Sequence, residues 1–100
     1  MIVRIFMTSV EPDDIDEGTR LFKKEVKPVL ESFDGCLGIE WYVGVEEHSG
    51  DLVDVTAISR WESLEAIAAA TSSRPYEEAL AGLRKLFQES PLVRHYRGAE

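Results

Sequence analysis

The chain has 100 residues, 44% of them hydrophobic, enough to build one core without a metal or disulfide staple and too short for a second domain, so residues 1–100 are expected to form a single unit. A formal net charge of −8 opposes nucleic acid and anionic membranes as partners, because binding to either rests on Lys and Arg neutralising phosphates. The lone Cys36 excludes an internal disulfide, and without CxxC or a Cys/His cluster there is no structural zinc site.

No run approaches the roughly 20 apolar residues that a membrane span needs. The opening ten residues carry Arg4 and run into Glu11, Pro12, Asp13 and Asp14, unlike a signal peptide, and a cytoplasmic location is expected.

Residues 2–10 are dense in β-branched and aromatic side chains, and alternation places Val3, Ile5 and Met7 on one face and Ile2, Phe6 and Val10 on the other. A strand apolar on both sides must be covered on both sides. Helices can supply one cover, and in so short a chain the second cover points to a partner subunit.

Pro12, Asp13 and Asp14 open a helix, with carboxylates where the positive dipole end favours them. Ile15, Thr19, Phe22, Val26, Val29, Leu30 and Phe33 follow at spacings of three and four, one stripe facing a core. Pro28 withholds a backbone donor and should bend or split the helix near residues 24–27. Asp34-Gly35 ends it.

Residues 37–46 read as a second strand with Leu37, Ile39, Trp41, Val43 and Val45 on one face. Gly38, Glu40, Tyr42 and Gly44 share the other, where the glycines predict open space beside the sheet that a ligand or a closely approaching backbone could occupy. The turn His48-Ser49-Gly50-Asp51 leads into a third, antiparallel strand over residues 52–61. Ser63 is the expected cap of a helix carrying Leu64, Ile67, Ala68 and Thr71 on one face. After the break at residues 71–75, Pro75 suits the first turn of another helix with the stripe Tyr76, Ala79, Leu80, Leu83, Leu86 and Phe87. Glu89-Ser90-Pro91 stops it, and residues 92–97 form a final strand. The order βαββαβ with one central hairpin predicts a ferredoxin-like α+β fold, a four-stranded antiparallel sheet with its helices on one face.

Three sets of residues carry a resemblance to a known family over essentially the whole chain. They are Gly35-Cys36-Leu37-Gly38 after a helix bearing Pro28, Trp61-Glu62-Ser63-Leu64-Glu65-Ala66, and Ser73-Arg74-Pro75-Tyr76. In their order and spacing the chain resembles the antibiotic-biosynthesis-monooxygenase family. The resemblance implies a homodimer whose two sheets pack face to face into a dimeric α+β barrel, with a pocket between sheet and helices in each subunit. It also implies a monooxygenase that oxidises a small aromatic molecule (a phenol, an anthrone or a quinol) with oxygen and with no flavin, metal or haem. Where haem-degrading relatives carry a histidine ten residues beyond the tryptophan, this chain has Thr71, which disfavours haem degradation. Where some family monooxygenases place an asparagine, four residues before the tryptophan, it has Ala57. These replacements keep open a ligand-binding or structural dimer without chemistry and, by analogy with other relatives, a lactone isomerase or lyase.

Each candidate site residue has two readings. Trp61 is either a wall for a flat substrate or a core residue locking its strand to the next helix. His95, in the final strand, is a candidate base for a phenolic proton, against a purely structural role. Arg4, Glu40, Tyr42 and Tyr76 can line a substrate pocket, although charged residues more often face solvent or an interface. His48 reads as an exposed turn residue and Cys36 as a small buried hydrophobe.

Overall fold

The computed structural model describes residues 1–46 and 49–99. Strands β1 (Ile2–Val10), β2 (Cys36–Val43), β3 (Val53–Trp61) and β4 (Leu92–Arg97) form one antiparallel sheet in the order β2-β3-β1-β4. Helices α1 (Ile15–Leu21) and α2 (Lys27–Glu31) lie between β1 and β2, and α3 (Leu64–Thr71) and α4 (Arg74–Arg84) between β3 and β4. This is the ferredoxin-like βαββαβ arrangement that the hydrophobic patterning predicts. No helix among the described residues is long and apolar enough to cross a membrane.

Strand parity divides the sheet into two faces. On one, Arg4 pairs with Ser59 and Phe6 with Ala57, and on the other Ile5 pairs with Ile58 and Met7 with Thr56. Helices roof the first face, where Phe22, Val26, Leu30, Tyr76, Leu80 and Leu83 join Ile39 of β2 in one buried cluster. Each large apolar side chain taken from water there contributes roughly 2 kcal/mol before chain entropy is subtracted. A smaller cluster of Trp61, Ile67 and Ala70 fills the end under α3. Among the described residues no helix covers the second face, and Val3, Ile5, Met7 and Ile58 on it are only partly buried.

Pro28 acts as its chemistry requires. It has no N–H to return to the preceding turn, and the ladder slips there into a π-turn over Phe22–Val26, where the Lys27 N–H reaches Phe22 O. Ser63 caps α3 by accepting the Ala66 N–H at 3.1 Å, and Ser73 caps α4 by accepting that of Tyr76 at 3.4 Å.

Four expectations need correction, the first being the stripe of α3, where Ile67 and Ala70 are buried while Leu64 and Ala68 are exposed. Strand β2 starts at Cys36 and ends at Val43, leaving Val45 outside the strand and 98% exposed. An irregularity between Cys36 and Gly38 interrupts the alternation, so Leu37 turns outward, half exposed, instead of joining Ile39. The space expected over Gly38 is taken, since a Cβ there would lie 2.5 Å from Nη2 of Arg60. The turn before β3 uses left-handed backbone at Gly50 (φ 74°) and Asp51 (φ 60°), while His48 lies outside the described residues.

Candidate functional site

The roofed face encloses a cavity of about 20 Å³, lined by apolar residues and by Arg4, Ser59 and Tyr76. That volume is about what one water needs. Arg4 reaches it from β1, whose even-numbered residues face the helices, and is only 8% exposed. Its Nη2 donates to the Tyr76 hydroxyl at 3.2 Å, and its guanidinium carbon lies 5.5 Å from the Phe6 ring centre and 5.8 Å from that of Tyr76. Its Nε has no partner, and among the described residues no carboxylate pairs with it. A buried cation so incompletely satisfied is costly to hold, which marks a place where an anion would be welcome.

A second, open cavity of about 580 Å³ lies against the free edge of β2. Thr19, Lys23 and Lys27 border it from the first helical segment, and Glu40, Trp41, Tyr42 and Val43 from the strand. Phe22 and Trp41 line both cavities. Their rings stack with centres 5.1 Å apart and planes 21° off parallel, and Trp41 Nε1 donates to Thr19 Oγ1 at 3.0 Å. The inner and outer spaces therefore have one aromatic pair in common in their walls.

The residues singled out from the sequence divide between these places. Arg4 and Tyr76 meet in the inner cavity, and Glu40 and Tyr42 border the outer one. Arg60 donates to both Glu40 oxygens, the Nη2–Oε2 bond at 2.9 Å, and this pairing holds the carboxyl below its ordinary pKa. Tyr42 is 52% exposed.

Trp61 lines neither cavity. It is buried among Ile67 and Ala70, and its Nε1 donates at 2.8 Å to Oγ of Ser59, whose residue does line the inner cavity. His95 sits opposite Arg4 in the β1–β4 register, bordering a shallow pocket with Ile2, Leu64, Tyr96 and Arg97. Partial desolvation first, and the Arg4 charge second, push its pKa below the ordinary histidine value, which favours the neutral imidazole that a base requires. Thr71 turns its hydroxyl back to Ile67 O at 2.9 Å, and burial pushes the Cys36 thiol pKa up, away from reactivity.

Phe22, Trp41, Thr19 and Ser59 were not singled out from the sequence. Their positions on apolar stripes match ordinary core residues, and only the cavities themselves show that Phe22 and Trp41 line both, Ser59 the inner one and Thr19 the outer one.

The fold and site together define a ferredoxin-like α+β protein with a small polar pole enclosed between sheet and helices. The family model for antibiotic biosynthesis monooxygenase matches residues 1–82, and the chain belongs to that family. Similar solved structures include Rv0793 of Mycobacterium tuberculosis, 18% identical with a TM-score of 0.72 over 99% of this chain and 95% of that one. A conserved protein from Methanosarcina mazei is 17% identical with a TM-score of 0.72, over 99% and 94% of the two chains. A variant of SnoaB, a cofactor-independent oxygenase from Streptomyces nogalater, is 14% identical with a TM-score of 0.75, over 99% and 93%. At such identities the likeness is one of fold. Among curated proteins no significant match was found.

Proposed function

We propose that the protein is a cofactor-independent monooxygenase acting on an aromatic phenol, anthrone or quinol, with its reacting centre at the Arg4–Tyr76 pole. The observation that carries the reading is the buried Arg4 guanidinium, short of partners and facing a cavity. Oxygen reacts with the electron-rich anion of such substrates, and a fixed cation in a dry site stabilises that anion without reorganising water. For an anthrone, the methylene carbon becomes a carbonyl by taking one atom of O₂, and the other atom leaves as water with the two hydrogens.

Within this reading His95, beside Arg4 in the sheet, takes the substrate's proton through an intervening water, and Trp61 positions Ser59 on the cavity wall. Tyr42 and Glu40 meet the substrate at the outer edge of the site. The helix-free sheet face, with Ile5 and Ile58 at its centre and Leu92 and Tyr96 about half exposed, is the surface for a second copy of the chain, giving the homodimeric barrel.

The small volume of the inner cavity favours a second reading, a ligand-binding or structural dimer without chemistry. Oxygen uptake with a panel of anthrones, naphthols and hydroquinones decides between them. Uptake above buffer that depends on Arg4 is expected for the oxygenase, and none with any panel member is expected for the second reading.

A further inference from the structure

We propose that the cleft beside β2 is the receiving site for a flat aromatic ligand bearing a carboxylate or ionised phenol, and that the stacked Phe22–Trp41 pair is the partition it passes to reach Arg4. The inference rests on the oxygenase reading only for the use made of the inner cavity. The size difference comes first. A space of about 20 Å³ admits a water, whereas the ring systems that fit an aromatic oxygenase need hundreds of Å³, as the outer cleft of about 580 Å³ provides. Since Phe22 and Trp41 line both spaces, displacing this pair joins them.

Charge points the same way. In a chain of net charge −8, the cleft presents Lys23 and Lys27 in the same lining as Trp41 and Tyr42. Lys27 is engaged, donating to Ile39 O at 2.9 Å and pairing with Glu31 at 3.2 Å. Lys23 is exposed and has no hydrogen bond or ion pair among the described residues. Glu40, the cleft's one acid, is neutralised by Arg60. An anionic ring thus meets a free cation at the mouth and the unsatisfied Arg4 inside, with aromatic surface between them.

The partition also stands on the irregular part of the roof. Phe22 opens the π-turn, where Pro28 withholds a backbone donor and the ladder is already displaced. Trp41 is held in place by one side-chain hydrogen bond, to Thr19. Opening the partition breaks that bond and moves Phe22 off Trp41 and out of the main core cluster, and leaves the strand ladder intact.

The test is stopped-flow binding of hydroxynaphthoate, a fluorescent flat phenol carboxylate, with the full-length chain under excess ligand. Two phases are expected: a fast one whose rate rises with ligand and falls with salt, then a slower, saturating one for passage inward. Lys23→Ala should slow the first phase by about threefold and flatten its salt dependence. Thr19→Val, which frees the Trp41 ring, should speed the second phase by about fivefold, the factor that loss of one hydrogen bond allows. Tm is recorded for each variant, so a folding defect is seen directly, and Thr19→Ser, which keeps the acceptor, should behave as the parent chain does. A single phase indifferent to both substitutions overturns the proposal, as does a Lys23→Ala effect on subunit association but not on ligand. Oxygen uptake without two-phase entry would sink the entry route and leave the oxygenase standing, whereas two-phase entry without uptake would do the reverse.

Discussion

The Arg4 guanidinium donates to the Tyr76 hydroxyl at 3.2 Å across a sequence separation of 72 residues, tying the first strand to the last helix inside the core. A neutral acceptor cannot compensate a buried positive charge, and the pair leaves the Arg4 Nε without a partner. Arg4→Met keeps the length of the side chain between the Phe6 and Tyr76 rings and removes the charge. Its stability in urea unfolding should be unchanged or raised by about 1–2 kcal/mol, while oxygen uptake falls by about 10²-fold or more. Loss of about 3 kcal/mol, the cost of an apolar core truncation, would instead make Arg4 a structural residue.

His95 offers a pH test. Its pKa is depressed by desolvation and by Arg4, so between its folded value and the ordinary value of about 6.5 the unfolded chain binds more protons than the folded one. Stability from this group is therefore fully present above about pH 6.5 and is lost as pH falls through the folded value. The imidazole is largely exposed, so the effect on unfolding should be small. NMR titration is the sharper measurement. His95 should titrate below an ordinary histidine, and Arg4→Met should move it upward by removing the Arg4 contribution. An unmoved titration in that variant would mean that the two side chains do not sense each other.

Much of the fold was legible because each element repeats its signal. Phe22, Val26 and Leu30 recur at helical spacing, Ser63 and Ser73 stand where caps are needed, and β1 is dense in β-branched and aromatic residues. Leu37 was misplaced because a bulge breaks the period of two without leaving a mark in residue type. The site was legible in part. Arg4 and Tyr76 stand out as polar residues on apolar stripes, so their pairing has a signal in parity. Trp41 and Phe22 have none, because a partition ring and a core ring share the same chemistry, and the difference lies in the empty volume on either side. The glycines at 38 and 44 misled for a related reason. A missing side chain signals room, but Arg60 and Asp54 come in from neighbouring β3 to use it.

Gly35 illustrates a backbone requirement that has nothing to do with the site. It turns the chain into β2 at φ 84°, its carbonyl accepts the Glu62 N–H at 2.8 Å, and a Cβ there would lie 2.6 Å from Cβ of Ala66. Gly35→Ala combines left-handed strain with overpacking against α3 and should cost about 2–4 kcal/mol in urea unfolding. The two contributions separate in a double-mutant cycle with Ala66→Gly, which relieves the clash but not the strain. A coupling of about 1–2 kcal/mol is expected, and a value near zero would assign the whole cost to φ.

The helix-free face decides the proposed dimer. Ile58 lies opposite Ile5 on β1 and Glu40 on β2, so it stands within the sheet rather than at its rim. A second sheet packed there would bury Ile58 against its counterpart face, at the usual spacing of about 10 Å between sheets. In that setting an aspartate at 58 would place an uncompensated carboxylate between apolar layers. Sedimentation velocity should show the parent chain as a dimer and Ile58→Asp as a monomer at the same concentration, a loss of association of about 3 kcal/mol or more. In a protein that works as a monomer the same substitution would fall on a solvated face, and both sedimentation and Tm would stay almost unchanged. The monomeric variant, if it still folds, also shows whether the inner cavity needs the partner subunit: oxygen uptake that survives would place the whole reacting centre within one chain.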